Sequence, residues 1–175
     1  MKAVLPTMLA LIVGALAACA PAGLKVTKGN AFTAYQGFTR LTKEPHMVAP
    51  LTATLCTIPS PDLIEAEKKL TGPHHMASVH LYANAQAQAA VTKGVKSFAT
   101  GSVIVKEKIA RDGSASAVGG MIKRSKGYDA QNSDWEYFYA AKTGEFSTGR
   151  LQNCIDCHRQ TKTNDYVFSV WEGFK

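Results

Sequence analysis

Gly101-Ser-Val-Ile-Val-Lys-Glu-Lys-Ile109 is the stretch that decides the fold class of this chain. Its run of Val and Ile without an internal Gly or Pro reads as a β-strand from Ser102 to Ile109. Alternation places Ile104 and Lys106 on one face and Val103, Val105 and Glu107 on the other. Because positions 103, 104 and 105 are all apolar, both faces are covered at the start of the strand, and Lys106 follows Ile104 toward the interior. Two further strand-like runs follow, Gly120 to Arg124 and Trp135 to Ala140, separated by turn signals at Asp112-Gly113 and from Gly127 to Asp134. These three segments predict an antiparallel sheet.

Upstream, Ser60-Pro61 has the form of a helix start, with Ser as N-cap and Pro at the first helical position, and Gly72-Pro73 stops that helix. Ala77 to Tyr82 alternates as a strand, and Asn84 caps an Ala-rich helix that ends at Gly94. Folded structure is expected to begin near Phe32. Downstream, Thr143-Gly144 and Thr148-Gly149 bound a turn, and Tyr166 to Trp171 is a last apolar segment. The fold class is therefore α+β, a mainly antiparallel β-sheet with a few short helices.

Cys154-Ile-Asp-Cys-His158 lies on the last predicted helix. CxxCH is the spacing at which two thiols bond the vinyl groups of one haem while the adjacent imidazole ligates its iron. A CxxC pair also serves thioredoxin-like redox sites and half of a zinc site, but the first belongs with a βαβ pattern and the second needs another ligand pair. One covalent haem c near the C-terminus is the expectation, with Cys154 and Cys157 as attachment points and His158 as proximal iron ligand. All-helical cytochromes c and four-helix bundles lack the strands read here, so this haem sits on a different scaffold.

At the other end, Lys2, an apolar core from Val4 to Leu16 and the small residues Ala17-Ala18 form an export signal over residues 1–18. Cys19 follows, and Leu-Ala-Ala-Cys resembles the lipobox of bacterial lipoproteins. Ordinary cleavage after Ala-x-Ala is the alternative. The apolar run is shorter than the ~20 residues of a membrane-spanning helix. A flexible tether over 19–31 and a single domain over 32–175 complete the organisation, with a periplasmic, lipid-anchored location. Cys56 is then left without a partner and reads as a small buried apolar residue rather than a reactive thiol. The formal net charge of +7 is dispersed. Val105-Lys-Glu-Lys108 and Met121-Ile-Lys-Arg124 suggest a solvated face or docking to an acidic partner, and no nucleic acid is expected.

Gly72-Pro-His74, His80-Leu-Tyr-Ala-Asn84, the stretch from Gly101 to Ile109, Met121-Ile-Lys-Arg124 with Gly127-Tyr-Asp129, Asp134-Trp-Glu136, and the haem motif with Asp165-Tyr-Val-Phe168 together resemble the cytochrome P-460 family and its relatives, the cytochromes c-prime-beta. The resemblance implies a dimeric antiparallel β domain with one haem c, an open distal iron position and the motif histidine as proximal ligand. In P-460 members a strand lysine also bonds a porphyrin meso carbon, and Lys106 falls on it. Burial disfavours an ammonium, and the neutral amine is the nucleophile that such a bond needs. The plain alternative is a lysine that snorkels to solvent or pairs with Glu107.

An axial second ligand would favour electron transfer over ligand chemistry, and His74, His75, His80, Met47, Met76 and Met121 are candidates. Phe32, Tyr35, Phe38, Tyr82 and Phe98 are candidates for a distal wall. Three functions follow: oxidation of hydroxylamine to nitric or nitrous oxide, nitric-oxide capture at ferrous iron, and membrane-tethered electron transfer. Each brings a small nitrogenous ligand or a redox partner protein. The first needs a proton acceptor, for which Asp129, Asp134, Glu136 and Glu145 are available. The export reading has its own test: fatty acid supplied with a radioactive label should mark the wild-type chain and not Cys19→Ala, whereas an unlabelled wild-type chain contradicts lipidation.

Overall fold

The computed structural model describes residues 23–48, 60–71 and 77–168. The signal, Cys19, Cys56, His74, His75 and Met76 lie outside the described residues. Seven strands form one antiparallel sheet: β1 (Thr39–Arg40), β2 (His46–Val48), β3 (Ala77–Ala83), β4 (Val103–Ile109), β5 (Ala115–Lys123), β6 (Trp135–Ala141) and β7 (Phe146–Gly149). Their order is β1-β3-β4-β5-β6-β7, with β2 pairing the same edge of β3 as β1. Three short helices accompany them, α1 (Pro61–Thr71), α2 (Ala85–Lys93) and α3 (Gln152–His158). The α+β expectation holds. Strands β1, β2 and β7 were not foreseen; they are two to four residues long, too short for alternation to show.

Register fixes what each face of the sheet carries. Lys106 stands opposite Leu81 of β3 and Gly119 of β5, and Ile104 opposite Ala83 and Met121. Met121 in turn faces Tyr137 of β6. On this first face Ala83, Ile104, Met121, Trp135 and Tyr137 form a core with Ala87 and Ala90 of α2 and Ile155 of α3. On the second face Val103, Val105, Val118, Ile122, Phe138 and Ala140 pack against Val26, Ala31 and Tyr35. Both faces of β4 are thus covered, as its apolar run required. Packing begins at Val26 rather than near Phe32, so the expected tether over 19–31 is already part of the core at its end: Val26 and Ala31 are buried.

Helix boundaries follow the predicted caps. Ser60 Oγ accepts the Leu63 N–H, closing the first turn of α1. Gly94 ends α2 in the left-handed conformation at φ 62°. Gly120 has a different reason to lack a side chain, since a Cβ there would stand 2.5 Å from the Phe138 ring and 2.7 Å from the Ile104 carbonyl.

Asn84 joins three elements. Its Oδ1 accepts the Ala87 N–H of α2 at 3.1 Å and the Val103 N–H of β4 at 3.0 Å, while Nδ2 donates to the Gly101 carbonyl at 2.7 Å. Asn84→Ala should lower unfolding free energy by about 2 kcal/mol, a lost helix cap plus unmet backbone groups, read from urea denaturation midpoints. Asn84→Asp, which keeps both acceptor contacts, should lose less; equal losses would contradict the assignment.

Candidate functional site

α3 is short, and Ile155 holds it by inserting into the first-face core. Its first turn closes through the Ile155 N–H onto the Leu151 carbonyl at 2.9 Å. Positions 154, 157 and 158 are then neighbours on one side of the helix. Cys154 packs against the same core, and both Cys154 and Cys157 are free, half-buried thiols. Burial pushes the Cys154 thiol up to about 11, helped by Cys157 and opposed by the charge of Lys106. Burial likewise raises Cys157, again against Lys106.

His158 is oriented by the backbone. Its Nδ1 lies 2.6 Å from the Tyr166 carbonyl oxygen. A carbonyl only accepts, so Nδ1 carries the proton and Nε2 keeps its lone pair. The imidazole packs between Tyr137 and Phe168, each with a centroid separation of 5.2 Å. Burial, and then the nearby Lys106 charge, push it down to about 3 despite the Tyr166 hydrogen bond. At neutral pH it is an uncharged imidazole with one free nitrogen, the form a metal binds.

Lys106 completes the group. Its Nζ lies 5.4 Å from the Phe168 ring centroid, and Phe168 is the ring beside His158. Its charge acts on both thiols and on the imidazole. Burial lowers its own proton affinity, with the two cysteines opposing. Glu107 cannot pair with it, because that carboxylate is on the second face, where Tyr35 and Tyr82 both donate to it. The lysine is half-buried on its strand.

Other candidates disperse. His80 is opposite Glu107 on the second face, with Nδ1 3.0 Å from Thr42 Oγ1. Met47 is exposed and Met121 is packed in the first-face core. Of the five aromatic residues proposed as a distal wall, only Phe98 is on the motif's side; Phe32, Tyr35, Phe38 and Tyr82 pack on the second face. The acids are occupied elsewhere. Glu136 is ion-paired with Arg124 at 2.6 Å on the second face, Asp134 caps the Gly127 and Asp129 N–H groups, Asp129 accepts from Asn132, and Glu145 is exposed in a turn. The docking reading of the basic runs also changes: Lys123 and Arg124 are bound to Asp165 and Glu136.

A family model for cytochrome P460 matches residues 63–169. The chain belongs to the cytochrome P460 family. No curated protein matches it. Family membership implies a haem cofactor, and the residues present fit one: two thiols three apart, an imidazole with its outer nitrogen fixed and its inner nitrogen free, and an amine on the facing strand. The thioredoxin-like alternative for CxxC loses ground, since the described strand pairs are all antiparallel.

Tyr137 and the Tyr166 carbonyl were missed by sequence reading, the first because an aromatic in a strand reads as core, the second because a main-chain atom leaves no residue-type signal. Tyr137 Oη is buried without a hydrogen-bond partner. Tyr137→Phe should therefore leave thermal stability within about 1 kcal/mol or raise it, while Tyr35→Phe, which removes one of the donors to Glu107, should cost about 1–3 kcal/mol. Equal losses in calorimetry would mean that Tyr137 has a partner.

Proposed function

We propose that this chain is an exported, lipid-anchored cytochrome with one covalent haem c, at which small nitrogenous ligands bind and hydroxylamine is oxidised. The convergence of Lys106 with Cys154, Cys157 and His158 on one face of the sheet is the observation that carries this reading. In it, Cys154 and Cys157 would add to the haem vinyl groups as thioethers, His158 Nε2 would ligate the iron, and Lys106 is the amine whose N–H and a porphyrin meso C–H would be replaced by an N–C bond, with two electrons and two protons passing to an external two-electron oxidant. Bound haem supplies the redox change and the ligand site.

The protein's part is positional and electrostatic. Tyr137 and Phe168 pin the imidazole between them, and the Tyr166 carbonyl fixes its tautomer. Burial lowers the proton affinity of Lys106, which favours the amine form whose lone pair is available for bonding. Support for an open sixth position comes from the other ligand-type residues: among the described ones, His80 and Met47 are off this face, Met121 is enclosed by core, and His46, opposite Val79, is exposed on the short strand β2. Of the four acids considered as proton acceptors, Asp129, Asp134 and Glu136 are engaged in hydrogen bonds and Glu145 is exposed.

Export places the chain where haem is attached to CxxCH, and a lipid at Cys19 would keep it near membrane-bound acceptors. No described helix is long and apolar enough to cross a membrane. Homodimer formation and a redox partner protein belong to the same proposal.

Electron paramagnetic resonance of the resting ferric protein tests it. The expected result is a high-spin signal that changes on addition of hydroxylamine, with nitric or nitrous oxide formed when an electron acceptor is present. High spin with binding and no turnover would reduce the role to nitric-oxide capture. A low-spin signal indifferent to either ligand would contradict ligand chemistry and leave electron transfer.

A further inference from the structure

Asp165 and Tyr166 are consecutive non-glycine residues in the left-handed region, at φ 51° and φ 63°. A Cβ crowds the following carbonyl there, and such a backbone persists only where its surroundings over-determine it. The surroundings here do so. Lys123 Nζ donates to Asp165 Oδ1 at 2.7 Å and to Oδ2 at 2.8 Å, Ser133 Oγ donates to Oδ1, and the Phe98 N–H donates to Oδ2 at 2.9 Å. The Asp165 carbonyl accepts from Trp135 Nε1 at 2.8 Å. Tyr166 is held by its own hydroxyl on the Gln131 carbonyl at 2.8 Å and by its N–H on the Thr161 carbonyl at 3.1 Å.

This expenditure of polar contacts has one evident product, the direction of the Tyr166 carbonyl, which meets His158 Nδ1 at 2.6 Å. The side chains of Lys123 and Asp165 are only 12% and 8% exposed, so the pair is screened little by solvent and is geometrically fixed. We propose that the Lys123–Asp165 ion pair is a positioning device for His158: it holds the strained turn that aims the Tyr166 carbonyl at Nδ1, and so sets how strongly Nε2 donates to iron. This rests on the reading of His158 as the haem ligand. Neither residue touches the imidazole; both act through Tyr166. A carbonyl accepting the Nδ1 proton raises the basicity of the opposite nitrogen, and a more basic ligand favours ferric over ferrous iron.

The test uses haem-loaded full-length protein. Asp165→Asn keeps the shape and removes the charge, and Lys123→Met removes it from the other side. Both should move the reduction midpoint to more positive potential and the ferrous iron–histidine stretch in resonance Raman spectra to lower frequency. Glu136→Gln breaks an equally short ion pair on the opposite face and should move neither. Ser133→Ala removes a single donor and should give a smaller shift in the same direction, which decides the matter if Asp165→Asn does not fold. Unchanged midpoint and vibration in the folded variants overturn the proposal, as does an equal shift in Glu136→Gln. If wild type shows no iron–histidine vibration, five-coordinate ferrous iron on His158 is contradicted, and the midpoint comparison still decides whether the ion pair acts on the haem.

Discussion

Alternation along β4 is the constraint on which the rest of the structure depends. Successive side chains of a strand leave on opposite faces, so Lys106 and Glu107, adjacent in sequence, are delivered to two separate environments. Lys106 reaches the thiols and imidazole of α3, and Glu107 reaches the hydroxyls of Tyr35 and Tyr82. A slip of one residue would exchange them, placing a carboxylate beside His158 and an amine among tyrosines. Pairing on both sides guards against that, with Lys106 fixed between Leu81 and Gly119. Gly119, having no side chain, contributes none to the position beside the lysine on that face.

Burying charge on both faces of one sheet is costly unless each group is matched or neutralised. The second face matches: Glu107 accepts from two hydroxyls, and Arg124 holds Glu136, which also accepts from Thr148. Around the motif the first face does both. Lys123 and Asp165 are paired, while Lys106 and His158 have no acid partner among the described residues and burial pushes the proton affinity of each down. The contrast separates structural from chemical use of the same residue types. A lysine bound to a carboxylate holds a turn, whereas burial without such a partner favours the amine form with its reactive lone pair.

Much of this was legible in the sequence because it depended on local signals. Ser60-Pro61, Asn84 and Gly94 state their caps in residue type, and the apolar triplet Val103-Ile104-Val105 states that β4 is covered on both sides. The spacing of Cys154, Cys157 and His158 states their shared helix side. Assignments that required knowing which face a residue occupies relative to the motif failed where no local signal exists. His80 and Tyr82 alternate correctly with Val79 and Leu81, yet only the pairing with β4 shows that they point away from Lys106. Lys123 and Arg124 look like a basic surface because their partners, Asp165 and Glu136, lie 42 and 12 residues on. The short edge strands were invisible for want of length, and the hydrogen bond that orients His158 belongs to a main-chain oxygen.

The central claim is that Lys106, and not its neighbours on β4, shares a haem with the motif on α3. Mass mapping of haem-bearing peptides from the digested mature protein tests it most directly. The account predicts haem joined both to the peptide containing Cys154 and Cys157 and to the peptide containing Lys106. Haem joined to Lys108 would contradict the strand placement by one repeat of the pleat, and haem on the cysteine peptide alone would contradict a bond to Lys106.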